Sequence, residues 1–295
     1  MRLRLCNLIL LAASVVPLAA QAACPAASAT QLRDALKPEA SQAELVMLQA
    51  QALQLASCLA SPDPALRDGL GFELLSQWMR AKALKPETLQ TLRESLLPIL
   101  SGPDVSQGFH APFAALALAE IARVDRLQPF LSPAQRQDLL ERACAYLAGV
   151  QDRRGFITGE GWRHGVAHGA DLLMQLSLNA GLDAAAQRRI LQAVASQVLA
   201  GGAHAYQFGE GQRLARPALF AAWRGDVSAD DWQQWLSSTL AAAMPKANPD
   251  AAMLARMHNA REFLWPLYFS LNESRDEALK ARLLPAVRAA LQQLG

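Results

Sequence analysis

Helical periodicity fills this chain, and it constrains the fold more than any single motif does. Apolar residues recur three and four positions apart in one stretch after another: Leu66, Leu70, Leu74 and Leu75 share a stripe, as do Leu236 and Leu240. No stretch alternates convincingly as a half-buried strand would. Hydrophobic residues make up 52% of the chain, with abundant Ala and Leu and few β-branched side chains to favour a sheet. Such a chain buries its apolar stripes helix against helix.

The spacing predicts eleven helices, over 41–60, 64–82, 86–99, 109–124, 133–149, 162–180, 183–200, 213–224, 228–243, 249–270 and 274–293. Punctuation agrees with the periodicity. Asp63 is expected to cap a helix that opens at Pro64, and Ser132-Pro133 repeats the device. Ser101-Gly102-Pro103, Gly201-Gly202 and Asn248-Pro249 mark further breaks. Short turns between so many helices predict antiparallel pairs. With no strict sequence period, the expected architecture is an all-α superhelix of degenerate pairs resembling HEAT or armadillo stacks; a closed α/α toroid is the alternative. No linker divides residues 23–295, which are expected to form one all-α domain around a continuous core.

Residues 1–22 stand apart. Arg2 and Arg4 precede an apolar stretch from Leu8 to Ala20, and Ala20-Gln21-Ala22 is a small-x-small cleavage site. The segment reads as a secretory signal peptide, too short for a membrane span. The two arginines are not adjacent, so a twin-arginine route is not indicated. Lipid attachment at Cys24 is the second choice, because Gln21-Ala22-Ala23 lacks the aliphatic residue expected three places before a lipidated cysteine. The expected protein is periplasmic or secreted, with no transmembrane segment in its mature chain. There Cys24 and Cys58 can form a disulfide, while Cys144 sits in an apolar helical pattern as a buried thiol.

Cleavage removes two of the 28 basic residues and none of the 26 acidic ones, so the mature chain carries no nominal net charge. Without a Lys/Arg run either, it offers no electrostatic footprint for nucleic acid, and no such partner is expected.

One segment is not explained by core packing. Asp152-Arg153-Arg154-Gly155-Phe156 leads into Gly161-Trp162-Arg163-His164-Gly165-Val166-Ala167-His168-Gly169-Ala170-Asp171. On a helix begun at 162, His164, His168, Asp171 and Gln175 form one polar stripe, with Val166 and Leu173 opposite. Three readings compete. His164 and His168 could ligate a divalent metal such as zinc, iron or manganese, completed by His204, Glu210 or Asp152. A zinc-protease helix is excluded, because Gly165 occupies the place of the required Glu. Alternatively, His164, His168, Asp171 and Asp152 form acid–base machinery against a wall of Trp162 and Phe156. Nucleophile motifs are missing, with no GxSxG and no partner for Cys144. The third reading is a structural or binding network, in which Asp152 and Arg154 lock the loop and the histidines bond to helix ends.

Weaker candidates surround this segment. Glu210 and Arg213 lie three apart at a helix start, an ordinary ion pair unless the histidine face is near. Pro217 either kinks that helix or opens it. His110 belongs to a helix start, His258 to a solvated helix face, and Trp232 and Trp235 to packing between helices. Tyr206 reaches a site only if the 201–210 loop folds back.

The chain resembles the bacterial domain-of-unknown-function 2785 family. Arg154-Gly155-Phe156, Gly161-Trp162, His164, His168 and Ala170-Asp171-Leu172-Leu173 carry the likeness. Asp63-Pro64, Leu66-Arg67-Asp68, Glu210 with Arg213-Leu214-Ala215, Asn259 with Phe263-Leu264, and Leu267-Tyr268 extend it over most of residues 23–295. The resemblance implies an all-helical fold and no assigned activity. Members often carry Lys and Ala where this chain has Glu160 and Arg163, which alters the charge beside the site. An export signal also departs from the cytoplasmic forms expected of the family. The leading reading is a binding or interaction protein for an unidentified protein or small molecule, its surface centred on Trp162, His164, His168 and Asp171 and flanked by Arg154, Glu210 and Arg213. A metal-dependent or histidine acid–base hydrolase or lyase at that face is the alternative.

Overall fold

A computed structural model describes residues 24, 42–103, 106–199, 202–224, 227–244 and 247–294. Residues 1–22, expected from the sequence to be a signal segment, lie outside the described residues. Helices dominate: α1 (Gln42–Leu55), α2 (Leu74–Arg80), α3 (Pro86–Leu96), α4 (His110–Leu127), α5 (Pro133–Gly149), α6 (Gly165–Ser177), α7 (Ala184–Val198), α8 (Glu210–Trp223), α9 (Ala229–Leu240), α10 (Ala251–Asn272) and α11 (Glu277–Leu294). The chain is all-α, as the periodicity predicts.

Their starts are written in short polar side chains. Ser132 and Gln135 form a reciprocal capping box at α5, and the side chains of Asp183, Ser228 and Asp250 accept backbone N–H groups at α7, α9 and α10. Asp63 accepts the Ala65 N–H at 2.8 Å. The helix that follows is wound as a π-helix over Ala65–Glu73 before tightening into α2.

The helices stack in two rows. α4, α6, α8 and α10 pack in succession, and α5, α7, α9 and α11 lie against them, with α5 on α7 and α9 on α11. The inner stripes supply the core: Leu118 and Ile121 of α4, Leu172 and Leu173 of α6, Leu214 and Ala218 of α8, and Phe263 and Leu267 of α10 are fully buried. Leu236 and Leu240 join it from α9. Trp232 stacks on Trp235 with ring centroids 5.1 Å apart, between helices as expected.

Three sequence expectations need correcting. Helix 162–180 begins at Gly165, because Phe156–Ile157 and Gly161–Trp162 form a two-stranded antiparallel hairpin ahead of it. Each strand is two residues long, too short to register as alternation. Helix 213–224 begins at Glu210, and Pro217 stays inside it, neither opening nor ending it. The stretch Ala43–Ala60, expected to be no span, is long and apolar enough for one, with a mean hydropathy of 1.2. It turns Leu48, Ala52, Leu55 and Leu59 into the core. The cysteines stand as expected: Cys24 and Cys58 are joined in a disulfide, and burial pushes the free Cys144 thiol up to about 12.

Candidate functional site

The N-terminal ends of α4, α6 and α8 meet at one edge of the fold, and the 150–164 segment closes over them. The closure is drawn tight by backbone bonds: Arg163 N–H donates to Gly155 O at 2.9 Å and His164 N–H to Arg154 O at 3.2 Å. Gly155 permits it, since a Cβ there would meet Phe208 and the Glu210 carboxylate at 2.5 Å. Gly159 turns the hairpin with φ of +86°, and Gly161, at +82° where the second strand begins, leaves room for the Arg67 guanidinium.

His164 occupies the pivot. It is not in the helix but is the residue before α6, in the left-handed conformation with φ of 47°. A non-glycine residue held there costs about 1–3 kcal/mol, which the surrounding packing has to offset. Its imidazole lies against Trp162 at 4.2 Å and edge-on to His168 at 5.6 Å. Its Nε2 is 3.5 Å from Glu210 Oε1, at the outer edge of hydrogen-bonding distance. The other Glu210 oxygen accepts the Phe208 N–H at 2.9 Å. Burial opposes the Glu210 charge, but the His164 contact and the backbone N–H groups of Phe208 and Glu210 itself prevail and hold its carboxyl below the usual value. The α8 N-terminus favours the same ionised form.

His168, one turn into α6, is fixed differently. Its Nδ1 lies 3.2 Å from Pro112 O, and a carbonyl only accepts, so Nδ1 carries the proton. Its ring stands edge-on to Phe113 at 5.1 Å. Burial, then the nearby His164 and Arg213, push its pKa well below 6.5, so it is neutral at neutral pH. Asp171 pairs with Arg213 across α6 and α8. Burial raises the Asp171 carboxyl, with Arg213 and Arg216 pulling against it.

Glu210 and Arg213 are thus no pair with each other: each reaches separately to the histidine segment. Asp152 orients no histidine; it binds Arg154 bidentately at 2.7 and 2.6 Å and lies 3.6 Å from Arg163. His204 packs on Tyr206 at 6.0 Å, and the Tyr206 hydroxyl donates to Gln197 O at 2.8 Å. Among the described residues no group of three or more His, Cys, Asp and Glu side chains is placed to hold a metal ion.

The charge that sequence reasoning passed over is Arg67. It is 0% exposed, its guanidinium lying over the rings of Phe109 and Phe113 at 4.1 and 4.8 Å. It pairs with Asp68 at 2.7 Å and donates to the carbonyls of Ser61, Pro62 and, in the hairpin, Glu160. Arg163 covers the same Phe109 ring at 4.3 Å and pairs with Glu160. The signal was available: Arg67 stands three and seven places before Leu70 and Leu74, on an apolar stripe where an unpaired charge does not belong.

Outside this buried network lies an aromatic rim. Trp162 is 38% exposed, and Phe156 and Phe208 are each 43% exposed. Both phenylalanines meet Trp162 edge to face, at 5.1 and 6.1 Å. By contrast, His164 and His168 are only 6% and 5% exposed.

The family described as protein of unknown function DUF2785 matches residues 100–269, more than half of the 295-residue chain. The chain belongs to this family. The match takes in His164, His168, Asp171, Glu210 and Arg213, while Arg67 and Asp63-Pro64 lie before it. No curated protein and no solved structure is similar enough to match the chain.

Proposed function

We propose that this chain is an exported binding protein whose recognition surface is the aromatic rim of Phe156, Trp162 and Phe208. The observation that carries the reading is the contrast in exposure just described: the rim is open to solvent, while the imidazoles beneath it are shut away. Exposed aromatic side chains on a rigid base are the usual anchors of a binding surface. General acid–base work needs a histidine that reaches substrate and changes charge, whereas His168 is held neutral against Pro112 O. On this reading His164, His168, Asp171, Glu210 and Arg213 position the hairpin, and Arg154 edges the surface. The ligand is a protein or small molecule, not a nucleic acid.

The wider setting is an open superhelix of helix pairs forming one domain over 23–295. It is supported by the two stacked rows and, among the described residues, by the absence of α1 with α11 from the packed helix pairs, a pairing that a closed toroid requires. Export to the periplasm or beyond is supported by the signal-like segment 1–22 and by the Cys24–Cys58 bridge, which suits an oxidising compartment and leaves no Cys24 thiol for lipid.

The enzyme alternative rests on the His164–Glu210 contact, an ionised carboxylate beside an imidazole. One experiment separates the two. A photo-crosslinking residue replaces Phe208 in the producing cells, with the same residue at Gln233 on the far helix α9 as control. Binding predicts a discrete adduct from position 208 alone, lost when Trp162→Ala is added. Equal labelling from both positions overturns it, and hydrolysis or elimination abolished by Glu210→Gln establishes the enzyme.

A further inference from the structure

Away from the histidine edge, α7 and α9 present facing ridges. Arg188 and Gln192 are four apart on α7, and Asp231, Gln234, Trp235 and Ser238 recur at three- and four-residue steps on α9. Together with Leu191 and Val227 they line a cavity of about 310 Å³. Its floor is fixed. The Trp235 indole N–H donates to Leu191 O at 3.1 Å, and one ring face is covered by Trp232. Trp232 is itself wholly buried and donates to Leu283 O at 3.2 Å. Phe263 meets the same ring edge to face at 6.1 Å, so the part of Trp235 that lines the cavity is held in one orientation.

Above this floor stand Arg188, Gln192, Asp231 and Gln234, all exposed and all without a hydrogen-bond or ion-pair partner for their side chains among the described residues. Such side chains on an ordinary solvated helix face need no anchored indole between them. Their chemistry is specific: two amides, a carboxylate and a guanidinium, each planar and each able to present two polar atoms side by side. One positive charge faces one negative charge, so the rim has no net charge with which to select an ion. Paired polar atoms match neighbouring hydroxyl groups on a ring, and an indole face accepts the apolar C–H face of that ring. The volume lies at the lower end of ligand pockets, enough for one or two sugar rings.

We infer that the groove between α7 and α9 is a second ligand site, built for a neutral saccharide of one or two rings. Four polar side chains grip its hydroxyls and Trp235 stacks beneath it. Because the site shares no residue with the aromatic rim, it stands or falls independently of the function proposed above.

The test is titration of the purified protein with glucose, maltose, cellobiose and di-N-acetylchitobiose, followed by calorimetry and by saturation-transfer NMR. At least one of these is expected to bind saturably at one site. Asp231→Ala and Gln192→Ala each weaken it about tenfold or more, since each removes hydrogen bonds to the ligand. Both positions are exposed and leave the fold intact, so loss of binding is not loss of structure; Trp235→Ala serves only as a confirming third variant. Saturable binding of none of the four sugars overturns the inference. So does binding that survives the Asp231→Ala, Gln192→Ala pair, or a preference for arginine or glycine betaine as charged probes over every sugar.

Discussion

The two ends of this molecule are built on different physics. From Val227 to Leu294 no charged residue is buried among the described residues, and α9, α10 and α11 meet through Leu236, Phe263, Leu267, Leu283 and Val287. At the edge where α4, α6 and α8 begin, Arg67, Arg163, Asp171 and Glu210 are all buried, together with two histidines, one of them left-handed. Apolar packing alone would hold helices together at either end, as it does in α9–α11. Buried charge is no cheaper way to do it, since desolvation cancels much of the attraction. What the polar edge gains is position: Arg67, Arg163 and Glu210 each hold a hairpin or loop backbone atom in one place, and Asp171 with Arg213 ties α6 to α8. That is what a recognition surface needs and a helix interface does not.

The sharpest way to break this contrast is Arg67→Met. It leaves Asp68 without its partner and the carbonyls of Ser61, Pro62 and Glu160 without a donor, at an expected cost of about 3–5 kcal/mol in urea denaturation. A loss under 1 kcal/mol would mean the polar edge tolerates ordinary apolar packing. Leu283→Ala at the other end is expected to cost about 2–4 kcal/mol through its cavity alone, and to leave crosslinking at position 208 untouched.

A third difference lies in pH. The unfolded His168 takes up a proton near 6.5 and the folded one only well below, so between those values the unfolded state binds more protons. Stability therefore declines as pH falls below about 6.5, and His168→Gln flattens that decline while Leu283→Ala only displaces the whole curve. Glu210 adds a second fall at more acid pH, because its lowered carboxyl contributes stability that is lost as pH drops through the folded value. Identical slopes for wild type and His168→Gln between pH 6.5 and 5 would show that His168 is not sealed. The smallest effect is expected from Trp162→Ala and Phe208→Ala. Thermal melts move by the equivalent of about 1 kcal/mol or less, as for exposed positions, while binding at the rim is lost.

Much of the helical scaffold was legible because its signals are local. The α5 helix runs from Pro133 to Gly149 as read from Ser132-Pro133 and the leucine spacing, and Asp183, Ser228 and Asp250 cap where polar punctuation stands. The candidate edge was legible in composition but not in geometry. His164 and His168 do come together, yet not as one helix face, because a hairpin turned at Gly159 precedes the helix and His164 is a left-handed residue outside it. The partners were hidden for a plainer reason. Glu210 meets His164 and Arg67 meets the hairpin only when distant helices stack, and no periodicity within one helix encodes that meeting. The Asp171–Arg213 pair is of the same kind.

The most direct measurement is nitrogen-15 NMR titration of the histidine rings in the folded protein. The expected result is a His168 that keeps its proton on Nδ1 and stays neutral as the pH falls through 6.5, with that proton slow to exchange. A His168 that titrates near 6.5 and exchanges freely would contradict the sealed scaffold, and would place working histidines at the surface where only an aromatic rim is proposed.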